Sequence, residues 1–537
     1  MKVYEQVSAL LHAHGVDTMF GLMGDANMYV STTFENSGGR FVRVAHEAGA
    51  IAMGDGYARL GRRSAVATVT HGPGFTNAIT PMVEAMRSGT PLLCLTGDTP
   101  AEATHPQRLD IEGVCASLGI THERVHSPDS VARDVNRAWR RLDEGPVVLN
   151  VPLSLCLREA IEGGAAGVVR RAPAGDDGAK VAEAIDEALG IVASAARPAI
   201  VAGQGATTTQ AEAAIAELAD LLGAPLFTTA LGRGLFADHD RLLGIMGSLS
   251  NELAVSMISD SDCIIAFGAS LNKYTTMGGE LVSDVRLVQV DNDVTKLGWL
   301  VEPDERILGD AALVARAMAE QLREAGQSPR TSWDRRAREV AAAVRAWRPS
   351  DDRSGSATVD VRVASQKLNE VLEPGSVIVS DVGRFVAGVW PYLDRHGPGD
   401  FAALTGFASI GLGLAAGIGA AIARPQEPVV VLAGDGGFMM HAGELSTAVR
   451  ERLPIVVIVF NDGAYGAEYH KLVAQGLSPT AAYNQWPDLC DMARGLGAQA
   501  MSIRSEADVT KLGEVMATLE GPIVVDVRID PTHHIEF

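Results

Sequence analysis

Long apolar runs and blocks of basic residues are both missing from this 537-residue chain. No run reaches the roughly 18 residues that suggest a membrane-spanning helix, and the first residues lack the charged-then-apolar pattern of a secretory signal. The formal net charge is −21, so electrostatic binding to nucleic acid or to an anionic membrane is not expected.

Cysteine is scarce, and its spacing shows no pairing. The five thiols are scattered along the chain: Cys94, Cys115, Cys156, Cys263 and Cys490. Such a pattern is typical of reduced, mostly buried thiols rather than of a disulfide framework. Together with the absent signal pattern, it predicts a cytoplasmic protein.

Three blocks of alternating strands and helices fill the chain, and two loose stretches separate them. The expected domains are 1–160, 180–345 and 359–537. Glycine, proline and small polar residues make up the linkers at 163–167, 172–178 and 349–356. Alternation of strands and helices is typical of parallel sheets covered on both faces. The predicted fold class is therefore α/β, with three doubly wound parallel-sheet domains.

A strand, a glycine-rich turn and a second strand form the most specific pattern. An apolar strand at 429–433 runs into the turn 434–437, and a second apolar strand follows at 455–460. Asp435 and Asp462 lie 27 positions apart, which suits one crossover through a helix. Both carboxylates are therefore expected beyond the carboxyl ends of parallel strands, where open α/β sheets bind ligands.

This pairing suits a divalent metal on a diphosphate. Mg²⁺ takes few protein oxygens and completes its octahedron with phosphate and water, while glycines let backbone N–H groups approach phosphate oxygens. A Gly-Asp-Gly turn alone is common and carries little weight. The paired spacing, with a helix predicted at 443–450 between the strands, favours the metal site.

Three further segments carry chemistry-bearing or small residues. His46-Glu47-Ala48-Gly49-Ala50 follows a strand at 41–44, and Glu47 taken alone is an ordinary first-turn acid favoured by the helix dipole. The other two segments are Thr70-His71-Gly72-Pro73-Gly74-Phe75-Thr76-Asn77 and Leu404-Thr405-Gly406-Phe407-Ala408-Ser409-Ile410-Gly411. Ile410 taken alone is an ordinary core residue.

Together these segments resemble the thiamine-diphosphate enzymes of the acetolactate synthase and pyruvate decarboxylase superfamily. The resemblance covers essentially the whole chain, in the order pyrimidine-binding block, middle block and diphosphate-binding block. It implies a homodimer or homotetramer, because family members place the Glu of one subunit against the diphosphate site of another. The family usually has Asn where this chain has Asp462, a change that keeps an oxygen ligand and adds a negative charge.

The resemblance also implies a role for each motif residue. Thiamine diphosphate and Mg²⁺ are the implied cofactors, with Asp435, Asp462 and the Ala464 carbonyl as metal ligands. The residues implied at the cofactor are Gly383, Gly434, Gly436, Gly437, Tyr465, Ala408 and Ile410. Ala408 would accept from the 4′-amino group, and Ile410 would be the wedge that keeps the cofactor bent. Glu47 would bind N1′ of the aminopyrimidine and promote loss of the C2 proton.

The residues that would choose the reaction give mixed indications. Asp25 and Glu468 match acidic residues of the decarboxylases, although each is also explained as a turn acid or a solvated helix residue. Gln107 is similar to a Gln of acetolactate synthases and benzaldehyde lyase, and the decarboxylases' His-His pair is missing from that loop. His71 is a candidate proton-transfer group or a structural histidine.

The expected activity is that of an acetolactate-synthase-type carboligase. It would decarboxylate a 2-oxo acid and join the enamine to a second carbonyl compound, such as an aldehyde or another 2-oxo acid. The alternatives are a non-oxidative 2-oxo acid decarboxylase, a lyase acting on 2-hydroxy ketones or 2-hydroxyacyl-CoA, and a non-catalytic homologue. The segment at 268–275 lacks the Arg-Phe-Asp-Asp-Arg-like run of FAD-binding acetolactate synthases, which argues against bound FAD.

Overall fold

The computed structural model describes residues 1–99, 104–161, 178–349, 351–393 and 397–535, without the side chains of 178 and 179. Residues 163–167 and 172–177 of the first predicted linker lie outside the described residues, and Gly178 begins a helix. Residues 351–360 of the second linker region contain neither helix nor strand. The described elements fall into three sheets with flanking helices.

The first sheet contains six parallel strands in the order β2-β1-β3-β4-β6-β5. Its strands are β1 (Thr18–Gly21), β2 (Arg40–Arg43), β3 (Ala65–Thr68), β4 (Leu92–Thr96), β5 (Thr121–Arg124) and β6 (Val147–Asn150). Its helices are α1 (Val3–Ala13), α2 (Met28–Asn36), α3 (Glu47–Gly61), α4 (Pro73–Asn77), α5 (Ile79–Arg87), α6 (Ile111–Leu118), α7 (Val131–Arg140) and α8 (Leu153–Cys156). β2 lies on one side of β1 and β3 on the other, so the strand order reverses at β1. The crevice between β1 and β3 is therefore the expected ligand position.

The middle sheet has a different order, β12-β11-β10-β7-β8-β9, and is also parallel. Its strands are β7 (Pro198–Ala202), β8 (Leu226–Thr228), β9 (Leu242–Ile245), β10 (Cys263–Phe267), β11 (Arg286–Asp291) and β12 (Glu305–Leu308). Its helices are α9 (Gly178–Ser194), α10 (Thr209–Leu222), α11 (Glu252–Ser259), α12 (Ala311–Glu324) and α13 (Thr331–Ala346).

The third sheet repeats the topology of the first, with the order β14-β13-β15-β16-β18-β17. Its strands are β13 (Val377–Ser380), β14 (Phe401–Ala403), β15 (Val429–Gly434), β16 (Ile455–Asn461), β17 (Gln499–Ile503) and β18 (Ile523–Arg528). Its helices are α14 (Val361–Val371), α15 (Val386–Val389), α16 (Gly413–Ala423), α17 (Asp435–Met440), α18 (Leu445–Arg450), α19 (Gly466–Ala474), α20 (Leu489–Gly495) and α21 (Glu506–Met516). By the same reasoning, the crevice between β13 and β15 is the expected ligand position here.

The first and third domains pack through two equivalent helices, α3 and α16, each of which follows the second strand of its sheet. Small residues bring the two backbones into contact. A methyl group on Gly56 would lie 2.0 Å from the Ala416 carbonyl oxygen, and one on Gly419 would lie 1.9 Å from the Met53 carbonyl oxygen. One continuous apolar core therefore draws on both domains.

These results confirm the predicted fold class of three parallel-sheet α/β domains. The exact domain boundaries stay predictions. No helix in the described ranges is both long and apolar enough to cross a bilayer.

Candidate active site

Two aspartates stand side by side beyond the carboxyl ends of β15 and β16. The strands pair in parallel up to Gly434 and Phe460, so Asp435 and Asp462 come just past adjacent strand ends. Asp435 is only 2% exposed, and its Oδ2 accepts hydrogen bonds from the Gly463 N–H and from the Trp486 indole, both at 3.0 Å. Asp462 Oδ1 accepts from the Ala464 N–H at 2.9 Å.

The electrostatics of this aspartate pair call for a cation. Burial raises the pKa of Asp435 to about 6. Burial, together with the negative charge of Asp435, raises the pKa of Asp462 to about 7. Within the described residues, no group of three or more His, Cys, Asp or Glu side chains is arranged around one point. The pair therefore fits an ion that takes its remaining ligands from backbone carbonyls, phosphate and water, as Mg²⁺ does.

The glycines beside the pair let neighbouring protein groups pack closely against the turn. A methyl group on Gly436 would lie 2.7 Å from the Tyr465 ring, and one on Gly437 would lie 2.7 Å from Asp381 Oδ2. Gly434 ends β15, and Gly383 follows β13 across the crevice. Backbone N–H groups in such a glycine-rich turn can approach phosphate oxygens closely. The predicted diphosphate residues thus gather around one crevice.

A buried aspartate holds the loop that precedes α16. Asp381 is 1% exposed, and its carboxylate accepts from the Val382 N–H at 2.9 Å and from the Gly411 N–H at 2.7 Å. Burial raises its pKa to about 7. Ala408 has a left-handed backbone with φ of 59°, a conformation that costs a non-glycine residue energy. Ile410 is half-buried, unlike an ordinary core residue.

Glu47 is the first residue of α3 and is largely buried. Its Oε2 accepts a hydrogen bond from the Asn77 amide at 3.0 Å. A methyl group on Gly74 would lie 3.3 Å from Glu47 Oε1. The segment that contains His71 and Asn77 therefore packs directly against this carboxylate.

His71 lies at the carboxyl end of β3, beside the crevice between β1 and β3. The side chain is 2% exposed, and neither ring nitrogen makes a well-aligned hydrogen bond to a described residue, although the Gln107 side chain lies within interacting distance of the ring. Its ring meets the ring of His105 edge-on, with centroids 5.9 Å apart. Burial lowers the pKa of His71, while the Gln107 side chain nearby opposes that effect. His71 therefore stays neutral at pH 7 and can either donate or accept.

Asp25 and Gln107 come from the two loops on either side of His71. The loop that carries exposed Asp25 is tied to the β3 loop, since Thr70 Oγ1 accepts from the Ala26 N–H at 3.3 Å. The Gln107 N–H donates to His105 Nδ1 at 3.2 Å. Three predicted residues, Asp25, His71 and Gln107, are thus brought together, although their roles stay predictions.

Glu468 is not drawn into this group. Its side chain is 61% exposed on α19 and lies 4.0 Å from Lys471.

Known families match all three domains in order. Residues 1–116 match the N-terminal thiamine pyrophosphate (TPP)-binding domain of thiamine pyrophosphate enzymes, residues 185–318 match the central domain, and residues 381–527 match the C-terminal TPP-binding domain. The chain belongs to the thiamine pyrophosphate enzymes. The predicted resemblance is therefore confirmed, and the two crevices described above lie in the N- and C-terminal TPP-binding domains.

Several relatives of this thiamine pyrophosphate enzyme differ in their named activities. A probable acetolactate synthase large subunit from Methanocaldococcus jannaschii is 26% identical, over 99% of this chain and 92% of its own length. A probable 2-ketoarginine decarboxylase from Pseudomonas aeruginosa is 29% identical, over 94% of this chain and 89% of its own length. A sulfoacetaldehyde acetyltransferase from Alcaligenes xylosoxydans is 26% identical, over 93% and 87%. These relatives support 2-oxo acid chemistry without settling the reaction type.

Four side chains of the thiamine pyrophosphate enzyme make supporting contacts that the sequence did not predict. Asp381 fixes the Gly411 N–H, Trp486 donates to Asp435, and Glu84 and Glu444 bind backbone loops of the opposite domain. From the sequence alone, Trp486 could line the substrate pocket or belong to the core, and Glu444 belongs to the helix predicted after the turn. Their partners lie far away in sequence, so no local pattern could have revealed these contacts.

Proposed function

We propose that the chain is a thiamine-diphosphate- and Mg²⁺-dependent carboligase of acetolactate-synthase type. It would remove CO₂ from a 2-oxo acid and join the remaining fragment to a second carbonyl compound. The neighbouring carboxylates of Asp435 and Asp462 carry the cofactor part of this proposal, because two carboxylates with raised pKa values are stabilised when a divalent ion binds between them. When bound, the thiazolium ring supplies the electron sink that decarboxylation requires.

In this proposal each of the chain's own groups has one task. Asp435, Asp462 and the Ala464 carbonyl hold the metal, while the glycine turn receives the diphosphate. Glu47 holds a proton at the pyrimidine N1′ position, and the Asn77 amide keeps its carboxylate in place. Glu47 and Asp435 are both largely buried, which suits these tasks.

His71 is the residue best placed to meet the substrate. Its two ring nitrogens make no well-aligned hydrogen bond to a described residue, although the side chain is 98% inaccessible. A buried polar group in that position is costly unless a ligand satisfies it. A neutral imidazole can donate to a substrate carbonyl or carboxylate oxygen. Gln107, from the adjoining loop, would offer a second hydrogen bond.

A second copy of the chain is expected to complete the site. Met23, Phe407 and Met440 neighbour predicted site residues and are 49%, 40% and 54% exposed. Exposed large apolar side chains next to site residues favour coverage by another surface. We propose a homodimer or homotetramer in the cytoplasm, and the five buried, unpaired cysteines support that location.

The runner-up is a simple 2-oxo acid decarboxylase. Asp25 beside His71 favours it, as does the similarity to a protein named as a 2-ketoarginine decarboxylase. The decarboxylase function gains less support from Glu468, because that side chain is exposed in the single chain. Incubation with pyruvate separates the two, because acetolactate or acetoin indicates ligation whereas acetaldehyde alone indicates decarboxylation.

The decisive test is proton exchange at C2 of the bound cofactor. The purified protein is loaded with thiamine diphosphate and Mg²⁺ and transferred to D₂O, and the C2 proton is followed by NMR after acid quench. Wild-type protein should exchange far faster than free cofactor, and Glu47→Gln should slow exchange by at least about 100-fold, within the range for loss of an acid–base group. The matched control is Glu144→Gln, because Glu144 lies in the first domain and is 63% exposed. Equal exchange in wild type and Glu47→Gln would refute the assignment.

A further inference from the structure

Two buried glutamates cross the boundary between the first and third domains in opposite directions. Glu444 precedes α18 in the third domain and is 1% exposed. Its Oε1 accepts from the Ala45 N–H at 3.1 Å and from the His46 N–H at 3.0 Å, in the loop before α3. The Thr447 hydroxyl donates to Oε2 at 2.8 Å and fixes the carboxylate from its own helix.

Glu84 makes the mirror-image contact from the first domain. It lies in α5, is 1% exposed, and accepts from the Gly406 N–H at 3.0 Å and from the Phe407 N–H at 2.5 Å, in the loop before α16. The Ser88 hydroxyl, one turn further along α5, donates to the same carboxylate at 3.2 Å.

The two contacts are equivalent in topology as well as in chemistry. Each glutamate follows the third strand of its sheet, β3 or β15, and each binds the loop after the second strand of the other sheet, β14 or β2. In both cases a carboxylate accepts two consecutive backbone N–H groups, a short and strong arrangement inside a protein. The repeated sheet order therefore extends to a pair of interdomain hydrogen-bonded clamps.

Each clamped loop presents a predicted cofactor residue. His46 directly precedes Glu47, and Phe407 directly precedes Ala408 with its left-handed backbone. The space around Glu444 is filled tightly, because a methyl group on Gly49 would lie 2.0 Å from its Oε1. Neither loop is held by its own domain alone.

We infer that Glu444 and Glu84 are reciprocal positioning residues: Glu444 sets the orientation of Glu47, and Glu84 sets the Ala408–Ile410 loop. This inference rests on the proposed function for its chemical consequence. Both carboxylate oxygens are needed as acceptors. Glu84 takes one backbone N–H on each oxygen, whereas Glu444 takes the backbone N–H groups on Oε1 and the Thr447 hydroxyl on Oε2. Glutamine has one acceptor oxygen and would turn an N–H₂ group toward one of these donors.

The test uses Glu444→Gln and Glu84→Gln, which keep side-chain size, in the full chain with cofactor and Mg²⁺. The matched control is Glu451→Gln, since Glu451 pairs with Arg40 across the same two domains at a more exposed position. Cofactor affinity, C2 proton exchange and melting temperature are measured for each. Aspartate variants at 84 and 444, which retain a carboxylate, should restore part of any loss.

The two substitutions should change different properties of the protein. Glu444→Gln should slow C2 exchange by on the order of 100-fold with little change in cofactor affinity, because a misplaced catalytic group costs rate. Glu84→Gln should weaken cofactor binding by about tenfold or more, as loss of an outer support does. A merely structural role would lower the melting temperature and leave exchange per bound cofactor unchanged, and that result would overturn the inference.

Backbone amide exchange by mass spectrometry separates this inference from the proposed function. Peptides covering 44–47 should lose protection in Glu444→Gln, and peptides covering 404–408 should lose it in Glu84→Gln. Unchanged protection in both peptides would overturn the clamps whatever the activity. A wild-type protein that keeps the clamps but does not accelerate C2 exchange would instead refute the proposed function and the positioning role together.

Discussion

Replacing Asp462 with asparagine is expected to stabilise the cofactor-free protein at neutral and alkaline pH. The folded protein raises the pKa of Asp462 from 3.8 to about 7 through burial and the charge of Asp435. The folded state thus holds this proton more tightly than the unfolded chain does. The stability that the folded protein gains from binding this proton is fully present below about pH 4 and is lost as the pH rises through about 7.

The size of the effect follows from that shift. A change from 3.8 to about 7 corresponds to roughly 4 kcal/mol as an upper bound, at about 1.4 kcal/mol for each unit of pKa. Asparagine keeps the acceptor for the Ala464 N–H but never carries the charge. If about half of the bound is realised, the melting temperature should rise by roughly 2–3 °C at pH 8, and by less at pH 5.

Thermal denaturation of cofactor-free protein at pH 5 and pH 8 measures this difference. Asp491→Asn is the control, because Asp491 is 79% exposed and lies in the same domain. With Mg²⁺ and thiamine diphosphate present, the melting-temperature difference between Asp462→Asn and wild type should shrink or change sign, because the ion neutralises both carboxylates in the wild type. A gain that is equal at the two pH values, or a loss at pH 8, would show that Asp462 is not held charged and buried against Asp435.

Three further predictions concern the same crevices and the thiols. Trp486→Phe removes the hydrogen bond to Asp435 and should weaken Mg²⁺-dependent cofactor binding by about tenfold, as measured by fluorescence titration; unchanged affinity would exclude a supporting role. His71→Phe should raise the melting temperature, because it removes a buried polar ring whose nitrogens lack a well-aligned hydrogen bond, yet lower kcat/KM for the 2-oxo acid; unchanged kcat/KM would make His71 structural. Burial raises the pKa of all five cysteines. The thiols of the native protein should therefore react slowly with a disulfide reagent at pH 8, and all five should react only after denaturation. Rapid reaction of the native protein would contradict this.

Local patterns predicted the strands around the metal site well. Strands expected at 429–433 and 455–460 extend by one residue each, to Val429–Gly434 and Ile455–Asn461. Runs of β-branched residues next to glycine turns suffice for that inference. The same reasoning placed two acidic residues at neighbouring strand ends, because parallel strands joined by one crossover deliver their loops to one edge of the sheet.

The helices around the turn were harder to predict. Asp435 begins the short helix α17, whereas the glycines at 436 and 437 suggest an open turn. The helix predicted at 443–450 forms as a 3₁₀ turn at 442–444 followed by α18. Glycine's low helix propensity is overridden here by packing against the Tyr465 ring. Tertiary contacts of this kind are invisible to a local window.

Long-range hydrogen bonds mark the limit of prediction from sequence. Glu84 and Glu444 are 322 and 398 positions from backbone groups that they bind, and their neighbours show only ordinary helix patterns. Their importance depends on how two domains meet, which no spacing rule encodes. The site's acidic residues could thus be predicted, whereas the groups that support them could not.

The shared core of the first and third domains has a consequence for biosynthesis. The apolar face of α3 leaves the ribosome with the first domain, but its partner α16 follows about 350 residues later. Until then the nascent chain carries an uncovered hydrophobic stripe, while the middle domain can fold around its own separate core. Synthesis that stalls in the third domain should therefore yield an aggregation-prone fragment that depends on chaperones, even though two of its three sheets are complete.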